Sequence, residues 1–197
     1  MKIQHYILVL FVAITSSMCN KTQKENTIST VEKKHTETEN CSQPMTKADS
    51  LKMINHQIEI KGDVKYPLQL TVDSLQKMKV ATITDFKVVC QTGQVKKDNK
   101  TCKGVLLKDI LEKAKIKQNG HKDRNFYIVA RASDNYKATF SWAELFNNPT
   151  GENAYVIFEE NGKPVEKGEM ILICTNDIKT GPRHVYWLKS IEVYKVK

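Results

Sequence analysis

From about residue 53 onward, short apolar stretches alternate with turn residues. His56-Gln57-Ile58-Glu59-Ile60 has the two-residue period of a strand, and Gly62-Asp63 turns it toward a second strand at Leu68-Gln69-Leu70-Thr71. Val72 to Met78 has room for one or two helical turns capped by Thr71 or Asp73. Val80 to Cys90 is rich in β-branched residues and predicts a strand running into a basic loop. Leu106, Leu107, Ile110, Leu111 and Ala114 fall at helical spacing, which predicts a helix over Val105 to Ile116. Phe126 to Ala132 predicts another strand. Ser141-Trp142-Ala143-Glu144 is a capping box, in which hydroxyl and carboxylate each satisfy an orphan amide at the start of a short helix. Ala154 to Glu159 and Met170 to Cys174 predict apolar strands around an Asn161-Gly162 hairpin turn, and Val185 to Val196 closes the chain as a long strand. Many strands with few short helices define an α+β class: a mixed, strand-rich single domain over 53–197.

The first 52 residues have a different pattern. Lys2 precedes the apolar run Ile7 to Ile14, which is shorter than the roughly 20 residues a membrane-spanning helix needs. A charged start, a short apolar core and then small residues predict an export signal over 1–19. Cys19 directly follows that run, as in a bacterial lipobox where the thiol is acylated; Ser17 fits the pattern, Ser16 and Met18 do not. Residues 20–52 are mostly Thr, Glu, Lys, Asn and Ser, too poor in apolar side chains to offset ordering entropy, and predict a flexible tether. The expected location is the bacterial cell envelope, with the membrane reached through a lipid on Cys19. Cys41, inside the tether, has no assigned role.

Charge and composition exclude some classes. The net charge of +9 comes from 28 Lys and only 3 Arg, Arg124, Arg131 and Arg183. Lysines scattered through every segment of an exported chain predict a solvated basic surface, open to a small or anionic ligand, rather than the Arg forks and interleaved aromatics of nucleic-acid readers. No Gly-rich phosphate loop, His-Glu-x-x-His, Gly-x-Ser-x-Gly or Cys-x-x-Cys is present. Cys90, Cys102, His121 and His184 match no familiar zinc spacing. Arg131 stands three residues before Asp134, which suggests an ion pair. Tyr186 and Trp187 adjoin on a predicted strand, which puts one toward the core and one toward solvent; Trp187 is the better core residue. Cys174, in an apolar run, reads as a small core residue.

In order, GDVKYPLQLTVDSL, VVCQTG, CKGVLLKDILEKAKI, VARASDNYKATFSWAEL, NAYVIFEENGKPV and GPRHVYWLKSIEV resemble the oxidoreductase molybdopterin-binding domain, the fold of sulfite oxidase. The likeness runs from Ile58 to Val193. It implies a molybdenum cofactor, oxygen-atom transfer, and a thiolate to the metal from the position matching Cys90, a soft donor beside the pterin dithiolene. Arg183 and His184 fall in the stretch matching a loop near the cofactor, where a basic residue can pair with the pterin phosphate. Asn135 stands where the family carries glycine in an Asp-Gly-Tyr segment, and Asn tolerates left-handed backbone. Tyr186 stands where the family commonly carries Lys, and a Lys- and Asn-rich stretch replaces aromatic and apolar residues before Gly104. With Lys2 the only Lys or Arg ahead of the apolar run, the leader lacks the Arg pair of the route that carries folded cofactor proteins.

Two functions therefore stand side by side. One is an envelope oxidoreductase with Cys90 on molybdenum. The other is a cofactor-free binding or accessory module in which Cys90 and Cys102, with eleven residues between them in an oxidising compartment, close a structural disulfide.

Overall fold

The computed structural model describes residues 46–197. Cys19, Cys41 and the predicted leader lie outside the described residues, as does all of the tether up to residue 45. A short exposed helix, α1 (Lys47–Lys52), opens the described part, capped by Thr46. The elements that follow are β1 (Ile58–Gly62), β2 (Leu68–Leu70), α2 (Val72–Gln76), β3 (Val80–Val89), β4 (Val95–Leu106), α3 (Leu107–Ala114), β5 (Phe126–Ala132), β6 (Lys137–Ser141), α4 (Trp142–Phe146), β7 (Ala154–Glu160), β8 (Lys163–Pro164), β9 (Ile171–Cys174) and β10 (Leu188–Lys195). The Ser141–Glu144 capping box closes as expected, and of the two candidates Thr71 and Asp73 it is Thr71 that caps α2, with Ser74 completing a second box.

The strands form two sheets. The first runs β2-β1-β10-β5-β6, with β1 and β10 parallel and the other pairs antiparallel. The second runs β3-β4-β7, and β7 then pairs with β8 and β9 along its other side. Ile58, Ile60, Ile128, Ile191 and Val193 from the first sheet share one core with Val105, Val156, Phe158 and Leu172 from the second. The buried stripe of α3, Leu107, Ile110, Leu111 and Ala114, fills the same core. A second cluster, Phe86, Val88, Cys102, Ile157, Val165, Ile171 and Ile173, covers the far face of the second sheet. That sheet is apolar on both faces, which explains why β7 and β9 read as continuous runs instead of alternating.

Several expected boundaries move. The basic stretch after Cys90 is a loop only as far as Gln94; from Val95 it becomes β4, paired along β3 and β7, and the predicted helix starts two residues late because Val105 and Leu106 complete that strand. The Asn161-Gly162 turn joins β7 to β8 rather than to β9. β6 carries little apolar signal and was not expected; the Ser141 cap marks its end. β10 starts at Leu188, not Val185, because Trp187 takes φ of 46°, a rare conformation for a bulky residue. At that kink the chain leaves the second sheet, where Val185 bridges Leu172, and enters the first. Alternation therefore fails here: Trp187 is buried, and Tyr186 also turns inward, packing against the second cluster.

Arg131 does not pair with Asp134. Its guanidinium donates from Nε and Nη2 to Glu192 at 2.9 and 2.8 Å, because the antiparallel β5–β10 register puts the two side chains on one sheet face. Ser190 and Tyr194 hydroxyls also donate to Glu192, at 2.9 and 2.7 Å. The Arg131 fork, helped by those hydroxyls against the cost of burial, lowers the Glu192 carboxyl from 4.5 to about 2. The folded state holds this group ionised, so its contribution is complete above about pH 4.5 and drains away as the pH falls toward 2. Glu192→Gln should cost about 2 kcal/mol at neutral pH, as expected for charge-assisted bonds lost from a buried acceptor. Thermal melts of the two proteins should converge as the pH drops below 4. A gap that stays constant with pH would remove Glu192 from the acid response.

Candidate functional site

Three chain segments meet here: the β3–β4 hairpin end, the loop 175–183, and the crossing segment 184–187. Cys90 opens the hairpin turn; its amide donates to Gln94 O at 2.8 Å and its carbonyl accepts from Gly93 N at 2.9 Å. β3 is an edge strand, so its outer backbone groups need partners from elsewhere. Thr180 supplies two of them. Its buried hydroxyl donates to Lys87 O at 2.7 Å and accepts from Val89 N at 2.9 Å. The next residue must be small, since a Cβ at Gly181 would lie 2.9 Å from Val89 O and 3.4 Å from Cys90 Cα.

Arg183 straps this loop from the other side. Nε donates to Asp177 at 2.7 Å, Nη2 donates to the other Asp177 oxygen, and Nη1 reaches Glu144 at 3.0 Å. The guanidinium also lies 4.4 Å over the Phe140 ring. The two carboxylates push the already high Arg183 pKa further up, so the group is a permanent cation with three of its five N–H donors engaged. His184 is buried; its ring stacks on Tyr186 at 4.3 Å and tilts toward Phe86 at 5.9 Å. Burial raises the Tyr186 phenol, with Glu160, Cys90 and Glu166 adding to the shift, which keeps it a neutral hydroxyl at physiological pH. Lys167 sits 4.7 Å over the same ring. Tyr136 donates its hydroxyl to Pro182 O at 2.7 Å, and Asn135 before it has φ of 68°, the left-handed backbone a glycine would supply.

Two cavities flank the Gly181-Pro182-Arg183 ridge. One, about 250 Å³, is lined by Asp134, Tyr136, Gly181, His184 and Tyr186. The other, about 590 Å³ and open to solvent, is lined by residues that include Gln91, Asp177, Lys179 and Arg183.

The three described cysteines differ sharply. Cys102 and Cys174 have no exposed surface, and burial pushes their thiols up to about 11 and about 12. Cys90 is partly exposed, and none of the three is bonded to another. The expected Cys90–Cys102 disulfide is overturned by the hairpin register. Cys102 stands opposite Ile83, seven residues down β3 from Cys90. At about 3.3 Å per residue the two Cα atoms are about 20 Å apart, against about 7 Å at most for a disulfide.

The profile of the oxidoreductase molybdopterin binding domain matches residues 44–197. The chain belongs to that family. In fold it is similar to the crystal structure of the sulfane dehydrogenase SoxCD from Paracoccus pantotrophus, with a TM-score of 0.54 and 19% identity over 71% of this chain. The match spans 38% of the SoxCD chain. No curated protein matches the sequence.

Whether these residues suit the family's cofactor turns on the donor set. Among the described residues no group of three His, Cys, Asp or Glu side chains could hold a metal ion, which excludes the zinc grouping of Cys90, Cys102, His121 and His184. A molybdenum already bound by a dithiolene needs only a single soft protein donor, and Cys90 is the one described thiol with an exposed surface. That requirement fits. Arg183 reaches the larger cavity and His184 the smaller, on either side of the ridge that packs on Cys90. The Asp177 and Glu144 partners of Arg183 are the feature that sequence reading missed; Glu144 had shown itself only as a helix cap.

Proposed function

We propose that this member of the molybdopterin-binding family is a sulfite-oxidase-like oxidoreductase module that transfers an oxygen atom to or from a small substrate. The observation that carries the reading is Cys90: a partly exposed, unbonded thiol at the hairpin end, beside a glycine ridge between two cavities. Cys90 would hold molybdenum as its thiolate, with Arg183 and His184 flanking the pterin. When bound, the group would supply the two-electron redox chemistry that oxygen-atom transfer requires. The chain's own residues shape the cleft. Tyr186 presents a neutral hydroxyl near Cys90, Lys167 adds positive charge over that ring, and the buried His184 ring excludes water behind it.

Export rests on the sequence alone: the apolar run before Cys19, and Cys19 as lipidation site, support a lipid-anchored envelope protein. Among the described residues no helix is long and apolar enough to cross a membrane. A redox partner in the envelope would accept the electrons.

Protein made in a host that synthesises the cofactor, given an artificial electron acceptor, should oxidise a small reduced-sulfur compound with water-derived oxygen in the product. Metal-loaded protein inert toward both reduced-sulfur and S-oxide substrates would contradict oxygen transfer. One observation favours a second reading, a cofactor-free envelope binding module without the disulfide: three of the Arg183 donors are committed to carboxylates instead of facing an incoming phosphate. Protein from the same host that carries no molybdenum would select it.

A further inference from the structure

We infer that Asp177 and Glu144, acting through Arg183, are positioning residues that set how far Cys90 is exposed. The ridge that packs on Cys90 has no secondary structure of its own beyond a single short turn at Gly181–Arg183, so its place depends on its ties. On one side Thr180 binds the backbone of Lys87 and Val89, and Gly181 lies against Val89 O and Cys90 Cα. On the other, Arg183 takes a two-toothed grip on Asp177, six residues back in the same loop, which closes the loop on itself. Its remaining arm bonds Glu144 Oε1, while Glu144 Oε2 accepts the Ser141 amide at 2.7 Å. One carboxylate thus caps α4 and anchors the ridge. Because α4 is fixed to the main core through Trp142 and Leu145, the Cys90 ridge is referenced to the body of the protein. A charge-assisted fork has a defined direction that a lone ammonium lacks, so the geometry asks for Arg at 183 and not merely a cation.

The inference gives the site of the proposed function its shape, but it stands on the clamp and is read on metal-free chain, so it can fail or hold independently of molybdenum binding. The test is native-state alkylation of the full metal-free chain with iodoacetamide, followed on the Cys90 peptide by mass spectrometry, which separates it from the four other cysteines. Asp177→Asn and Arg183→Lys should each speed Cys90 modification at least about fivefold, with Cys102 and Cys174 still protected, and Glu144→Gln should give a smaller increase. Ile60→Val, a core change in β1, supplies a reference for general loosening at a comparable drop in melting temperature. If Asp177→Asn does not fold, Arg183→Lys, which keeps the charge and loses the fork, carries the test. Rates within twofold of wild type in both variants, or increases no larger than that of Ile60→Val, would overturn the positioning role.

Discussion

Gly62→Ala should destabilise the protein by about 3 kcal/mol or more, and in a marginally stable domain that is enough to abolish expression of folded chain. Gly62 ends β1 with φ of 93°, which L side chains rarely adopt. A Cβ there would lie 2.1 Å from Val193 O on the parallel neighbour β10, and that carbonyl already accepts the Asp63 amide at 2.8 Å. The obstacle is backbone on both sides, so no rotamer change relieves it. Relief requires separating β1 from β10, which among the described residues form the one parallel pair of the first sheet. β10 is also the continuation of the crossing segment that carries His184 and Tyr186, so partial relief should loosen the cleft as well. Denaturant unfolding checks this; a Gly62→Ala protein within 1 kcal/mol of wild type would show that the β1–β10 approach is softer than the structure implies.

How much of this was legible in the sequence depends on what kind of signal each feature leaves. Elements with a strong local period or cap were readable: Ile58 to Ile60, Phe126 to Ala132, the α3 stripe, and the Ser141-to-Glu144 box. β4 was not, because a strand built from Lys, Asp and Asn in its first half owes its form to pairing with β3 rather than to its own residues. The Trp187 kink was invisible for a related reason: the local sequence reads as strand, and the change of sheet is imposed by Val185 bridging Leu172.

At the site, the family resemblance singled out Cys90 as a metal thiolate and Arg183 and His184 as belonging to a loop near the cofactor; in the structure Gly181, at the head of that loop, lies against Val89 O and Cys90 Cα. The disulfide reading failed because spacing along the chain says nothing about register. Eleven intervening residues look like a closable loop, yet the hairpin turns at once after Cys90 and carries Cys102 far down the ladder. Arg183's partners were equally hidden, since Asp177 and Glu144 are six and thirty-nine positions away and nothing local links them.

Of the described thiols, Cys90 alone has the exposure a metal ligand needs. Cys90 and Cys102 make opposite predictions when each is changed to Ser. Cys102 lies fully buried in the second cluster beside Lys100 and Glu160, so Cys102→Ser places a hydroxyl in apolar packing and should cost about 1–3 kcal/mol. The site itself should survive. Cys90→Ser sits at a partly exposed turn and should barely change stability, while removing the soft donor.

The decisive measurement is molybdenum content per folded chain for wild type and both variants, purified from a cofactor-synthesising host. The expected result is about one molybdenum in wild type and Cys102→Ser and almost none in Cys90→Ser, although the last is the more stable variant. Equal metal in all three proteins, or loss from Cys102→Ser alone, would contradict Cys90 as the ligand.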